Sequence, residues 1–198
     1  MCSIPSKQEL RRTARAFLSL NGPSQGAKWG QAMARQITAL HCWRTARTIF
    51  CFVSTSKEPD TNPLLQAALS QGKTLCVPRL GQHPGQMDAV PIQTLEQLAP
   101  TPLGLWEPAA ALPAADPQQL DLVIAPCLMA STTGQRLGQG GGYYDRFLTR
   151  CCCPVLVLCP QELVQPQLPV TPLDHPCDGV VTQQQILAMP GTQCSTKY

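Results

Sequence analysis

The sequence has few charged and few aromatic residues, and the two signs of charge nearly balance. Charged residues make up 14% of the chain and aromatic residues 5%, and 15 basic against 12 acidic residues leave a net charge of +3. A nucleic-acid-binding surface needs clustered basic residues and aromatic rings on which bases can stack, so this composition argues against such a partner. At 43% hydrophobic residues, the chain is also too apolar to be intrinsically disordered.

Long apolar segments and metal-binding cysteine patterns are also missing. No run approaches the roughly 18 apolar residues that a membrane helix needs, and residues 1–7 lack the apolar core of a secretory signal. We therefore expect a cytoplasmic protein without a membrane partner. The eleven cysteines include no Cys-x-x-Cys pair, which predicts reduced, structurally passive thiols rather than a disulfide framework or a zinc site.

Short apolar segments with the spacing of helices and strands alternate along the chain. Ser6 and Glu9 fit a capping box at the start of a helix, which the turn-forming residues 21–24 are predicted to end. Strands are predicted over residues 48–53, 74–77, 120–125, 155–159 and 180–181. Further helices are predicted over residues 27–40, from Asn62 to a stop at Gly72, and over residues 95–98, 143–149 and 184–188.

This alternation predicts a single α/β domain over residues 1–198. The predicted fold has three layers, α/β/α, around a mostly parallel central sheet, with residues 99–117 and 126–133 as connections. In sheets of this kind ligands bind at the carboxyl ends of the strands. We therefore expect functional residues in the loops that follow the strands.

The most informative segment is residues 134–146, Gly-Gln-Arg-Leu-Gly-Gln-Gly-Gly-Gly-Tyr-Tyr-Asp-Arg. Its five glycines allow positive φ and close approach to a ligand, and the helix predicted after them begins with unpaired N–H groups that favour an anion. Arg136 offers a planar fork of donors that matches phosphate oxygens, and Asp145 could hold Mg²⁺ beside a phosphate. The segment therefore predicts a phosphate site. The alternative is a glycine-rich turn before a helix whose two tyrosines lie in the core.

Other charged residues are ambiguous by themselves. Lys7, Arg11 and Arg15 form an i, i+4 row on the first helix, which is typical of a solvated face. Glu58 lies in a loop after a strand, and Asp174 lies in a proline-rich loop where aspartate commonly forms turns. No histidine has a partner pattern, so none is assigned a role.

The string from Arg136 to Arg146 resembles the signature of the 5-formyltetrahydrofolate cyclo-ligases, also called 5,10-methenyltetrahydrofolate synthetases. The resemblance extends over nearly the whole chain. It includes Lys7-x-x-x-Arg11, Glu58 with Asp60-Thr61, Val77-Pro78-Arg79, Met87, Gly104-Leu105-Trp106-Glu107-Pro108, and Asp174 with Asp178.

The resemblance implies an ATP- and Mg²⁺-dependent ring closure of 5-formyltetrahydrofolate, and we expect a monomer whose partner is this small molecule. In the family, the formyl oxygen is thought to attack the γ-phosphate of ATP, and N10 then closes the ring as phosphate leaves. The implied roles are catalysis for Arg136 and Tyr143, and Mg²⁺ binding for Asp145 and Asp174. The implied ATP-binding residues are Lys7, Arg11, Arg136, Gly138, Gln139, Gly140, Gly141, Gly142, Tyr143 and Tyr144. The implied folate-binding residues are Val53, Glu58, Met87, Trp106, Gly140, Gly141, Gly142 and Tyr143.

The chain departs from the family pattern in the loop before the glycines. Ser131 stands where the resemblance leads us to expect an aspartate, and Cys127 stands where a glycine is common. These differences leave open a second hypothesis, a folate-binding protein of the same fold without efficient turnover. A third hypothesis, an enzyme acting on another phosphorylated small molecule, is disfavoured by Lys7, Arg11 and Glu58 together.

Overall fold

The computed structural model describes residues 5–188, which form a fold built around a seven-stranded sheet. The helices are α1 (Lys7–Ala39), α2 (His41–Thr45), α3 (Asn62–Ser70) and α4 (Tyr143–Leu148). The strands are β1 (Thr48–Cys51), β2 (Thr74–Leu80), β3 (Met87–Ile92), β4 (Leu98–Pro100), β5 (Trp106–Pro108), β6 (Leu122–Pro126), β7 (Met129–Ser131), β8 (Arg136–Leu137), β9 (Val155–Leu158), β10 (Val164–Gln165), β11 (Gly179–Val181) and β12 (Ile186–Ala188).

The large sheet has the strand order β12-β11-β9-β6-β1-β2-β3. Its five central strands run parallel, and an antiparallel strand closes each edge. Phe50 in β1 contacts Phe147 of α4, with ring centroids 4.6 Å apart. Ile49 and Cys51 point to the opposite face of the sheet and are equally buried, so both faces of β1 are covered. The predicted α/β fold with a mostly parallel central sheet is confirmed.

The order of the strands creates a crevice between β1 and β6. After β1 the chain adds β2 and β3 on one side, and it then returns to add β6, β9 and β11 on the other side. The loops that leave β1 and β6 therefore turn away from each other at their carboxyl ends. This is the edge of the sheet where the sequence predicted functional residues.

The first helix begins as predicted but does not end at residues 21–24. The Ser6 hydroxyl accepts from the Glu9 N–H, and the Glu9 carboxylate accepts from the Ser6 N–H, so the capping box is confirmed. α1 then continues to Ala39 with Pro23 inside it, so the prediction of two separate helices is wrong. Proline deprives the Ser19 carbonyl of its helical donor, but Ser19 is exposed and water can satisfy that oxygen. Buried residues on both sides of Pro23 hold the helix together.

Several short elements also differ from the sequence predictions. Residues 184–188 were predicted as a helix, but they contain β12, which pairs antiparallel with β11. The loop predicted over residues 126–133 contains β7, which pairs with β8 and β10. Residues 95–98 hold a 3₁₀ turn (Leu95–Gln97), the connection over 99–117 contains β5, and β3 was not predicted. These elements are too short for a sequence period to be measured.

The nine described cysteines form no disulfide, and the other two, Cys2 and Cys194, lie outside the described residues. Burial raises the pKa of the Cys76 thiol to about 11, so little reactive thiolate exists there at neutral pH. Within residues 5–188, no helix has the length and apolar character required to span a membrane.

Candidate active site

A cavity of about 540 Å³ lies at the carboxyl ends of β1 and β6. Residues from α1, from the loop after β1, from the β2–β3 hairpin and from the glycine-rich segment meet around it. The lining residues are Arg15, Leu18, Ser19, Phe52, Val53, Thr55, Lys57, Glu58, Pro78, Leu80, Met87, Leu105, Trp106, Glu107, Pro126, Cys127, Leu128, Arg136, Gly138, Gln139, Gly140, Gly141, Gly142, Tyr143, Tyr144 and Asp145. This volume suits a ligand of the size of a cofactor or drug molecule.

Arg136 is a buried cation in the wall of this cavity. β8 carries it, and its side chain is 2% exposed. Its Nη2 donates to Asp145 Oδ1 at 2.5 Å, and its guanidinium carbon lies 5.7 Å from the centre of the Tyr144 ring. Its Nε is buried and has no hydrogen-bond partner within the described residues. A buried donor without an acceptor is costly, so this group favours an incoming oxygen atom.

The glycine segment, residues 138–142, lies beside Arg136. Gly140 and Gly142 have φ values of +102° and +67°, a conformation that residues with a Cβ rarely adopt. α1 holds the segment in place: Arg11 Nε donates to the Gly138 carbonyl at 2.9 Å, and Arg15 donates to the side chain and the carbonyl of Gln139. The basic row of α1 therefore packs on the glycine segment instead of facing solvent alone.

Lys7 and Asp174 form an ion pair next to this contact. Lys7 Nζ donates to Asp174 Oδ2, which also accepts from the N–H and the hydroxyl of Thr171. Burial by itself would raise the pKa of Asp174, but the hydrogen bonds from Lys7 and Thr171 outweigh it and lower the pKa. Asp174 is therefore a carboxylate at neutral pH, and it fixes the position of the Lys7 ammonium.

The described residues contain no group of three or more His, Cys, Asp or Glu side chains that could hold a metal ion by themselves. Mg²⁺ bound with a nucleotide takes one or two carboxylates plus phosphate oxygens and water, so one carboxylate at the cavity suffices. Asp145 fits this need, because it lines the cavity and its side chain is 25% exposed. Asp174 lies outside the cavity lining, and its Oδ2 already accepts from three donors.

Glu58 reaches the cavity from a loop that lies directly on α1. Gly22, Gly26 and Gly30 leave room on the helix, and a Cβ at these positions would lie 2.3, 2.7 and 2.0 Å from backbone oxygens of residues 57, 58 and 60. The Glu58 carboxylate accepts from the N–H and the hydroxyl of Thr55. Burial outweighs these hydrogen bonds and raises the pKa of Glu58.

Comparison with known proteins identifies the family of this chain. A sequence model of the 5-formyltetrahydrofolate cyclo-ligase family matches residues 3–183. The chain belongs to this family. A 5-formyltetrahydrofolate cyclo-ligase of Escherichia coli strain K12 is 31% identical over 172 residues, which cover 83% of this chain and 93% of the relative. One of Mus musculus is 27% identical over 188 residues, covering 89% and 93%.

A solved structure supports the cyclo-ligase fold independently. The NMR structure of Aquifex aeolicus 5,10-methenyltetrahydrofolate synthetase matches this chain with a TM-score of 0.82 at 21% sequence identity. The match covers 97% of this chain and 96% of the other. The strand order described above is therefore that of a cyclo-ligase.

Most residues that the resemblance to cyclo-ligases implied lie around one cavity. Those in its lining are Val53, Glu58, Met87, Trp106, Arg136, Gly138, Gln139, Gly140, Gly141, Gly142, Tyr143, Tyr144 and Asp145. Lys7, Arg11 and Asp174 lie outside the lining and contact the glycine segment or each other. The roles of all these residues in catalysis and in binding ATP, folate and Mg²⁺ stay predictions.

The departure from the cyclo-ligase pattern at Ser131 does not leave its loop unsupported. Ser131 is fully buried, and its hydroxyl accepts from the N–H groups of Thr133 and Gln135 at 3.2 and 3.0 Å. A side-chain oxygen that accepts from the backbone in this way commonly stabilises a turn. Serine therefore supplies, between β7 and β8, the acceptor that we expected from an aspartate.

No role at the site was predicted for several residues of the cavity wall. Phe52 lies near the end of the predicted strand 48–53, and Cys127 and Leu128 follow the predicted strand 120–125, so their position at the carboxyl ends of predicted strands was a usable signal. Arg15 belonged to the basic row, and Lys57 adjoined Glu58. No local pattern indicated Leu80, which reaches the cavity because β2 is longer than predicted.

Proposed function

We propose that this chain cyclises 5-formyltetrahydrofolate to 5,10-methenyltetrahydrofolate, with ATP converted to ADP and phosphate. The observation that carries the proposal is Arg136, a buried cation whose Nε has no protein acceptor, beside the glycine segment in the cavity wall. This arrangement provides charge and backbone donors for a polyphosphate. Membership in the cyclo-ligase family supplies the chemistry that fits it.

Arg136 and the glycine segment would hold the ATP phosphates. The formyl oxygen of the folate attacks the γ-phosphorus, the bond to ADP breaks, and an imidate phosphate forms on the folate. N10 then attacks the formyl carbon, phosphate leaves with the oxygen, and N10 loses its proton. Phosphoryl transfer depends on positioning and charge neutralisation, and the Arg136 guanidinium supplies both to the transferred group.

Asp145 is proposed to hold Mg²⁺, which would neutralise part of the negative charge of the phosphates. The pair between Arg136 and Asp145 places this carboxylate beside the phosphate-binding cation. Asp174 is proposed to hold the Lys7 ammonium in position at the outer side of the glycine segment. Both assignments rest on the resemblance and on the contacts described above.

The opposite wall of the cavity suits the folate. Val53, Met87 and Trp106 offer apolar and aromatic surface to a pterin ring. Glu58 is proposed to orient that ring, since a carboxyl with a raised pKa can donate as well as accept a hydrogen bond. Tyr143 follows the glycine segment and would stand between the folate and the phosphates.

Purified protein with 5-formyltetrahydrofolate and Mg-ATP tests the proposal. We expect methenyl-folate absorbance to rise in step with ADP release, and Arg136→Ala to lower turnover about 100-fold, the cost of removing one preorganised charge-stabilising donor. The exposed Arg35→Ala is the matched control. Folate binding without ADP release would support the non-catalytic alternative, which the Ser131 contacts do not favour. The absence of both folate binding and ADP release would indicate a different substrate.

The expectations of a monomer, a cytoplasmic location and no nucleic-acid partner are part of this proposal. Sedimentation of the purified protein tests the first, and fractionation of cells tests the second.

A further inference from the structure

One side chain connects the glycine segment to the β2–β3 hairpin, and the proposed reaction does not use it. Arg146 in α4 donates from Nη2 to the Gly141 carbonyl at 2.6 Å and from Nε to the Gly85 carbonyl at 3.2 Å. Gly141 belongs to the glycine segment, and Gly85 lies in the turn between β2 and β3. That hairpin carries Leu80 and Met87 in the cavity wall. A single guanidinium therefore joins the two walls; we refer to it as the Arg146 bridge.

The backbone on both sides is shaped around this guanidinium. Gly85 has φ +83° and Gly142 has φ +67°. A Cβ at Gly85 would lie 1.7 Å from Nη2, and a Cβ at Gly142 would lie 3.0 Å from Nη1. Two left-handed glycines thus enclose the donors. A solvated surface arginine would need neither.

Arg146 forms hydrogen bonds to backbone carbonyls and no ion pair within the described chain. The nearest acidic neighbour in sequence, Asp145, is paired with Arg136, and within residues 5–188 no carboxylate forms a salt bridge with Arg146. Both of its partners are carbonyl oxygens. The planar arginine fork can reach two separate acceptors at fixed angles, whereas a lysine ammonium acts as a point donor.

We propose that Arg146 is a positioning residue that couples nucleotide binding to folate binding, an inference that rests on the proposed function. A nucleotide that orders residues 138–142 fixes the position of the Gly141 carbonyl and, with it, the Arg146 guanidinium. Because the guanidinium also donates to Gly85, it then fixes the hairpin beside the folate. The first ligand to bind bears the entropy cost of ordering these segments, so the second ligand binds without that cost. By thermodynamic linkage each substrate increases the affinity of the other by the same factor.

Binding measurements on the full chain test this coupling. The dissociation constant of a non-hydrolysable ATP analogue with Mg²⁺ is measured by calorimetry, with and without saturating 5-formyltetrahydrofolate. We expect folate to tighten analogue binding about 10-fold in the wild type, within the usual range of coupling. Arg146→Ala removes this factor, and Arg146→Lys does not restore it. Gly85→Ala, which displaces the guanidinium from the other side, removes it as well.

Arg150→Ala is the matched control. Arg150 lies one turn further along and donates to the Met87 carbonyl at 3.3 Å, so it contacts the hairpin but not the glycine segment, and its variant should keep the 10-fold factor. The inference is overturned if Arg146→Ala weakens both ligands but keeps the factor, or if Arg150→Ala loses it equally. Wild-type turnover is measured alongside: turnover without coupling overturns this inference alone, and absence of both turnover and binding overturns the proposed function with it.

Discussion

One group of glycines lies in the cavity wall and a second group lies on α1 against the loop that carries Glu58, and the two groups serve the cavity in different ways. In the glycine segment, Gly140 and Gly142 adopt positive φ and give the backbone a shape that leaves room for a ligand. In α1, Gly22, Gly26 and Gly30 have ordinary helical backbone, and the missing side chains make room for the loop over residues 57–60. The first group faces the cavity, whereas the second faces another part of the protein. The α1 glycines thereby determine where Glu58 lies.

The largest effect is expected from Gly30→Ala. The new Cβ would lie 2.0 Å from the Asp60 carbonyl oxygen, a clash between backbones that no side-chain rotation can relieve. We expect the free energy of unfolding in urea to fall by about 3 kcal/mol, the upper range for overpacking, while exposed Lys28→Ala leaves it nearly unchanged. Helix propensity alone would stabilise the alanine variant by about 1 kcal/mol, and that result would show that the loop does not pack on α1 as described.

A smaller and more selective effect is expected from Gly140→Ala. Its φ of +102° strains any residue with a Cβ, which costs about 1–3 kcal/mol. We expect the dissociation constant of an ATP analogue, measured without folate, to rise about 10-fold, or 1.4 kcal/mol. Folate affinity measured without nucleotide should stay within two-fold of the wild type, on the order of 0.4 kcal/mol. Equal losses for both ligands would show that Gly140 also shapes the folate site, as the resemblance implies.

The pH dependence of stability tests the environment that the α1 glycines give Glu58. Burial raises the pKa of Glu58 in the folded state, so its contribution to stability is greatest below the pKa of the unfolded chain. That contribution is lost as pH rises through the raised pKa. Relative to Glu58→Gln, the wild type should therefore lose stability as pH rises from about 4, the ordinary pKa of glutamate, through the raised pKa of Glu58. Urea midpoints across this range measure the difference, and a constant difference would mean that Glu58 is solvated.

The smallest effect is expected from Lys7→Ala at the start of α1. Lys7 and Asp174 are 21% and 19% exposed, and Asp174 keeps its bonds to Thr171 when the lysine is removed. We expect the free energy of unfolding to fall by no more than about 1 kcal/mol, as for other partly exposed ion pairs, and the loss should shrink in high salt. A loss of several kcal/mol at all salt concentrations would show that this contact helps to hold the glycine segment in place.

The sequence predicted the features that depend on local chemistry or on a specific motif. The capping box at Ser6, the buried central strands and the Arg136 segment all belong to this class. Prediction from the sequence failed where contacts between residues distant in sequence determine the structure. Residues 21–24 have the chemistry of a turn, but the backbone at Lys57 packs on Gly22 and keeps the helix continuous. The partners of Arg146 lie 5 and 61 positions away in sequence, and no local pattern can indicate them.

The length of α1 has a consequence for how the protein folds. This helix contacts Gly138, Asp174 and Thr182 through hydrogen bonds that span 127, 167 and 146 positions of sequence. Three glycines and a proline give it a weak tendency to form alone. During synthesis, α1 can therefore complete these contacts only after nearly the whole described chain has emerged. Contacts of such long range slow folding. The first helix of the described chain is therefore among the last elements to reach its final place.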